Sequence, residues 1–256
     1  MWLPRWSIAR LLLWAALLGG VPAAAGADQR VFLIGTDQVD TAFTGLWQRR
    51  VYAEAFRRLG LKAEFPYYPT KRLSALVDAG ELDGDMLRRR SYGLAHPEQV
   101  QVDVPVIEVR FALYTAHPAL RLARLEDLSA TGWQGHYRRG VLFCEDTLKA
   151  HVPAQRLAEV TTTAQGLKSL LAGHTAFLCD IDLAVDNVLY SREIRGDERV
   201  RELLAMGPPE PLYPYLHKKN ADLAPRLAAV LRQMKAEGLV ERLRRQALRD
   251  VMSGPR

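Results

Sequence analysis

The chain has 256 residues, 48% of them apolar and 25% charged, a balance that excludes a disordered or fibrous protein and suits one large domain or two smaller lobes. Its net charge is +6, and about +4 once Arg5 and Arg10 are set aside as part of a removable leader, a mild excess that suits small anions. No arginine-rich arm and no RNA-binding aromatic signature accompanies it, so nucleic acid is excluded as a partner.

Residues 1–27 read as a secretory signal peptide. Arg5 and Arg10 form a positive n-region, and residues 11–21 (LLLWAALLGGV) are apolar but shorter than the roughly 20 residues of a spanning helix. Ala25-Gly26-Ala27 fits a small-residue cleavage site. No cysteine follows the run to carry a lipid anchor, and no other stretch approaches spanning length.

Residues 30–37 (RVFLIGTD) read as a buried parallel strand. Trp47, Val51, Ala55 and Leu59 then recur at four-residue steps, the face of a helix that Gly60 stops. Residues 62–68 (KAEFPYY) form a short strand bounded by prolines. In residues 73–90 (LSALVDAGELDGDMLRRR), Leu73, Leu76 and Val77 share one helical face, Gly80 ends the helix, and residues 82–86 run as a strand. Arg88, Arg89 and Arg90 arrive where that strand ends, which is where open α/β sheets bind ligands. An arginine there suits a carboxylate through a two-pronged, charge-assisted pair. Strand, helix, strand, helix, strand implies a parallel sheet covered by helices.

Residues 100–105 and 106–115 are extended, His117-Pro118 breaks the run, and residues 125–128 make a helical turn. A second α/β unit follows. It opens with residues 140–143 (GVLF) as a buried strand closed by Cys144-Glu145-Asp146-Thr147. Residues 157–161 form a strand, residues 164–172 a helix stopped by Gly173, and residues 175–179 a strand closed by Asp180-Ile181-Asp182. Residues 206–214 (MGPPEPLYP) form an extended return, and residues 220–248 are helical, split by Gly238. The two units match in kind, as two lobes rather than a repeat array.

No H-E-x-x-H, G-x-S-x-G, Walker A or G-x-G-x-x-G motif is present. His96, His117, His136, His151, His174 and His217 are scattered without ligand spacing, so neither a metal nor a cofactor is expected. Cys144 and Cys179 are the only cysteines; in an exported protein an even pair suits a disulfide, while two buried free thiols fit the sequence equally.

In order and spacing, residues 31–37, 73–85, 105–114, 140–147, 167–180 and 211–218 resemble the family 3 extracellular solute-binding proteins, which have the type II periplasmic-binding-protein fold. The likeness covers nearly all of the 229 residues after the leader. It implies two doubly wound α/β lobes joined by two crossing segments, with residues 28–116 and 212–256 in lobe 1 and residues 117–211 in lobe 2. It implies a monomer in the periplasm that closes on a small-molecule ligand and serves an inner-membrane permease. Arg88, then Arg90, matches the arginine that pairs with a ligand carboxylate, where a solvated structural cluster is the alternative, and Asp180 or Asp182 matches the second-lobe acid that meets a ligand amine or else caps the following helix. Asp37, Glu145 and Thr147 stand at the ligand-facing turns, and Phe43, Tyr67 and Tyr68 suit the cleft walls or the core equally. If the second lobe is doubly wound, the strands ending at Cys144 and Cys179 are neighbours and a bridge between them is expected. Residues 91–105 (SYGLAHPEQVQVDVP) lack the polar–aromatic run of amino-acid binders, which marks a divergent subgroup. Two alternatives share the scaffold: a cyclohexadienyl dehydratase-like enzyme, and a sensory or accessory protein acting on a membrane partner.

Overall fold

Residues 30–191, 193–194 and 197–253 are described by the computed structural model. The leader expected over residues 1–27 lies outside them. The first α/β unit runs β1 (Val31–Gly35), α1 (Phe43–Arg58), β2 (Lys62–Glu64), α2 (Thr70–Asp78) and β3 (Gly84–Arg89). Strand β1 pairs in parallel with both β2 and β3, as strand–helix–strand crossovers require. Helix α1 buries Phe43, Trp47, Val51, Tyr52, Ala55 and Phe56 along one face. Helix α2 ends before Gly80, whose φ of 73° is a left-handed conformation that a Cβ would oppose.

The chain continues through β4 (Gln99–Gln101), β5 (Ile107–Thr115), β6 (Gly135–Arg138), α3 (Leu142–His151), β7 (Leu157–Val160), α4 (Thr163–Leu171), β8 (Phe177–Ile181) and α5 (Asp182–Leu189). It returns along β9 (Arg201–His217) and ends with α6 (Leu223–Ala236) and α7 (Leu239–Ser253). The strand order is β2-β1-β3-β9-β5-β8-β6-β7, with β4 also beside β9. Two parallel halves are thus joined through an antiparallel pair, β5 and β9, whose ladder runs from Ile107↔Leu212 to Thr115↔Arg201.

Helices cover both faces of each half. In the first, α1, α6 and α7 close a core with Ile34 and Met86, and α2 closes a smaller one with Leu73, Val77 and Leu82. In the second, strand β8 alternates: Phe177 and Cys179 face the core under α3, and Leu178 faces the core of α4 and α5. Cys144 and Cys179 form a disulfide with Cα atoms 5.7 Å apart.

The second unit opens differently from expectation. Residues 140–143 are a turn and the first residues of α3, not a strand, and β6 precedes them. A four-residue apolar run does not distinguish a strand from a helix start. Here Val141 enters the core while Leu142 and Phe143 remain 66% and 40% exposed. Strand β6 carries no apolar run because its first residue is Gly135, lying so close to the Phe177 ring that an added Cβ would stand 2.0 Å from it. Cys144, Glu145 and Thr147 consequently sit within α3 rather than at a strand–helix junction. In the first unit, β3 starts two residues later than expected and keeps Arg88 and Arg89 inside the ladder, where they oppose Tyr213 and Leu212 of β9.

Candidate functional site

Strands β1 and β3 end side by side in the first half, and β6 and β8 in the second. Helix α5 starts at the end of β8 and meets the start of α1: the Thr44 N–H donates to Asn187 Oδ1 (2.9 Å), Asn187 Nδ2 donates to Thr44 Oγ1 (2.7 Å), and Phe43 and Tyr190 meet edge to face at 5.5 Å. The carboxyl ends of parallel strands are where open α/β sheets bind ligands. The space between these two pairs of strand ends, spanned by β5 and β9, is the candidate cleft.

On the first wall the central group is Arg88, 9% exposed. Its Nη2 lies 2.5 Å from Asp85 Oδ2, and its Nη1 lies 3.5 Å from Asp37 Oδ2. The guanidinium also stands 5.1 Å from the centre of the Tyr92 ring, in cation–π range. Arg88 Nε and Nη2 are buried without an aligned hydrogen-bond acceptor, so the close Asp85 contact is an ion pair rather than a well-directed bond. Asp37 is held further by Thr70 Oγ1 (2.8 Å) and Gln38 Nε2 (2.9 Å). Burial pushes the Asp85 carboxyl up to about 7; Arg88 pulls the other way and does not offset the loss of water. Arg88, Arg89, Ser91 and Tyr92, with Leu87 and Leu212, line a cavity of about 380 Å³, within the range of small-molecule sites.

Arg89 extends towards the crossing strands. Its Nε is 3.1 Å from Glu210 Oε2 and its guanidinium 5.8 Å from the Phe111 ring, on which Phe143 stacks at 4.5 Å. Arg90 faces elsewhere: its Nη2 donates to Tyr213 Oη (2.8 Å) and Asp103 Oδ1 (3.2 Å), and it borders a separate depression with Ser91, Leu94, Glu210 and Pro211.

The second wall carries a buried ion pair. Asp180 has no exposed surface and accepts from three donors. Arg138 Nε reaches both its oxygens (2.8 and 2.9 Å), Thr163 Oγ1 reaches Oδ2 (2.7 Å), and the Ile181 N–H reaches Oδ1 (2.7 Å). Asp182 begins α5, accepting from the N–H groups of Leu183 (2.7 Å) and of Arg110 on β5 (3.0 Å).

Among the residues expected from the sequence, the fold brings together Arg88 with Asp37. It places Asp180 and Asp182 at the end of β8, each already engaged. It separates the others. Phe43 is fully buried against Trp47; Tyr68 lies under the Arg72 guanidinium at 5.5 Å; Glu145 is bound along α3 by Lys149 (2.5 Å); Thr147 is mid-helix. Asp85, Tyr92 and Arg138 were not singled out. No sequence signal marks Asp85: strict alternation puts it on the other face of β3 from Arg88, and the irregular register between them brings the two together. Arg138 lay before the run mistaken for the opening strand. Among the described residues no group of three or more His, Cys, Asp or Glu is placed to hold a metal, and no helix is long and apolar enough to cross a membrane.

No protein-family model matches the chain. An uncharacterized protein of Shewanella oneidensis is 29% identical over 203 residues, covering 78% of this chain and 75% of that one. The L-cystine solute receptor of Neisseria gonorrhoeae, in its unliganded open conformation, is 18% identical with a TM-score of 0.67, over 89% of this chain and 96% of that one. An ancestral cationic amino acid solute binding protein is 17% identical with a TM-score of 0.68, over 85% and 95%. A histidine kinase sensor domain with similarity to periplasmic binding proteins is 18% identical with a TM-score of 0.61, over 86% and 96%. The chain has the two-lobed, type II periplasmic-binding-protein fold.

Proposed function

We propose that the protein is an exported, monomeric solute-binding protein that captures a small, carboxylate-bearing solute of amino-acid size between its lobes and delivers it to an ABC-type transporter. Residues 28–116 with 212–256 form one lobe and residues 117–211 the other, and they close about the β5–β9 crossing. The observation that carries the reading is Arg88, held between Asp37 and Asp85 at the wall of a cavity of about 380 Å³. Holding the guanidinium in place lowers the entropy lost when a carboxylate docks on it. The named binders of cystine and of cationic amino acids with the same fold support a solute of this size.

The enzyme reading rests on Asp85, whose carboxyl titrates at about 7, in the range suited to a proton-transferring group. A ligand recovered chemically intact after prolonged incubation excludes it. The sensor reading draws on the histidine kinase domain of the same fold.

A thermal-shift screen against amino acids, small carboxylates, polyamines and sugars tests the proposal. A ligand at 100 times its dissociation constant adds about 2.7 kcal/mol of stability. The shift is expected for a carboxylate, lost in Arg88→Ala and kept in Arg90→Ala, whose guanidinium lies outside the cavity. No shift across the panel overturns the proposal.

A further inference from the structure

The second lobe presents two guanidinium nitrogens for which the fold supplies no acceptor among the described residues. Arg138 is the last residue of β6, at the carboxyl end of the strand beside β8, whose following helix α5 meets the start of α1 at Thr44. Its Nε is committed to Asp180, which is in turn fixed by Thr163 and Ile181. Its Nη1 and Nη2 have no hydrogen-bond partner among the described residues, and the side chain is 26% exposed. A guanidinium gripped on its Nε side shows its two-nitrogen end as a fork, the geometry that receives a carboxylate.

Four acids on the neighbouring elements are engaged, while Asp146 on α3 is exposed. Asp180 is buried under Arg138 itself. Asp182 is held by two backbone N–H groups, with Arg110 Nε 3.7 Å away; Glu145 is bound by Lys149; Glu159 pairs with Arg139. An ammonium arriving at the Arg138 fork meets a cation there. Beside it, Leu142 and Phe143 expose apolar surface at the start of α3, suited to a short carbon chain.

We propose that Arg138 is the second-lobe ligand contact, positioned by the buried Asp180, and that the ligand is a small dicarboxylate without an ammonium group. One carboxylate meets the Arg88–Arg89 wall and the other meets Arg138. This rests on the reading of the cleft as a solute-binding site and names its ligand class.

Calorimetric titration of the purified protein with succinate, glutarate and 2-oxoglutarate, and with aspartate, glutamate and arginine, tests it. At least one diacid is expected to bind, with its amino counterpart at least tenfold weaker. The double variant R138Q/D180N removes both charges, so that no buried carboxylate is left without its cation. It should weaken the diacid at least tenfold and bring the diacid-to-amino-acid ratio towards one, a change that general loosening of the lobe does not produce. R138K, which keeps the charge and loses the fork, should lie between, and R139Q should match the wild type. Wild-type diacid affinity in R138Q/D180N or R138K, or an amino acid bound as tightly as its diacid, overturns the role of Arg138 and leaves capture between the lobes standing. No acid binding to the wild type overturns this inference too. A sugar or polyamine bound instead retains the cleft as a binding site, and silence across all classes removes that as well.

Discussion

The disulfide joining α3 to β8 offers the most quantitative test of how the second lobe is held. Cys144 and Cys179 are 35 residues apart in sequence and both fully buried. A cross-link closing a loop of that length removes about 12.7 cal/mol/K of entropy from the unfolded chain, or about 3.8 kcal/mol at 25 °C. For a chain of this size each kcal/mol moves the transition by about 2–4 °C. Replacing both cysteines by alanine should therefore lower the melting temperature by about 8–15 °C. The assay is calorimetry of the wild type and of C144A/C179A, with thiol titration in denaturant before and after reductant. Two thiols should be titratable only after reduction. A shift under about 2 °C, or two thiols free from the start, refutes the reasoning: the lobe is then held by packing alone, or the bridge does not form.

Two further perturbations probe packing and charge. Gly135→Ala places a methyl group 2.0 Å from the fully buried Phe177 ring, and such overpacking costs about 1–3 kcal/mol, read from the guanidinium midpoint; an unchanged midpoint shows that β6 yields freely. Asp85, with its carboxyl raised from 3.8 to about 7, holds its proton more tightly in the fold than in the unfolded chain. Its contribution to stability is therefore complete below about pH 4 and lost as pH rises through 7. Asp85→Asn should flatten that fall, measured as urea midpoints from pH 4 to 8, and an identical slope in wild type and variant refutes the assignment.

Much of the alternation of strands and helices was legible because α1, α2, α4 and α6 repeat apolar residues at a helical period and meet glycine within two residues of their ends, as α1 does before Gly60 and α2 before Gly80. Arg88 was legible as a residue at a strand end. What it touches was not, because Asp37 reaches it from the bend after β1 and Asp85 is brought to it by an irregularity in the register of β3 against β9. Phe43 carried no sign of its burial: an aromatic at a helix start suits a cleft wall or a core, and only the arrival of α5, with Tyr190 against the ring, decides it. Strand β6 failed for a similar reason. Gly135, His136, Tyr137 and Arg138 bury little greasy surface of their own, and the strand exists because β7 and β8 flank it. Missing it hid Arg138.

The first core has a consequence for the order in which the chain takes shape. Phe43, Trp47 and Val51 from its beginning pack with Leu227, Leu231, Met234 and Val240 from its end, and Trp47 Nε1 donates to the Val240 carbonyl at 3.2 Å. During synthesis the early half of this core waits for its lid, with the whole second lobe made in between. A nascent chain emerging in this order stays incompletely packed until its last two helices are available. That delay leaves apolar surface within reach of chaperones for most of translation, and it suits the export proposed above, in which a chain is threaded through a membrane before it folds.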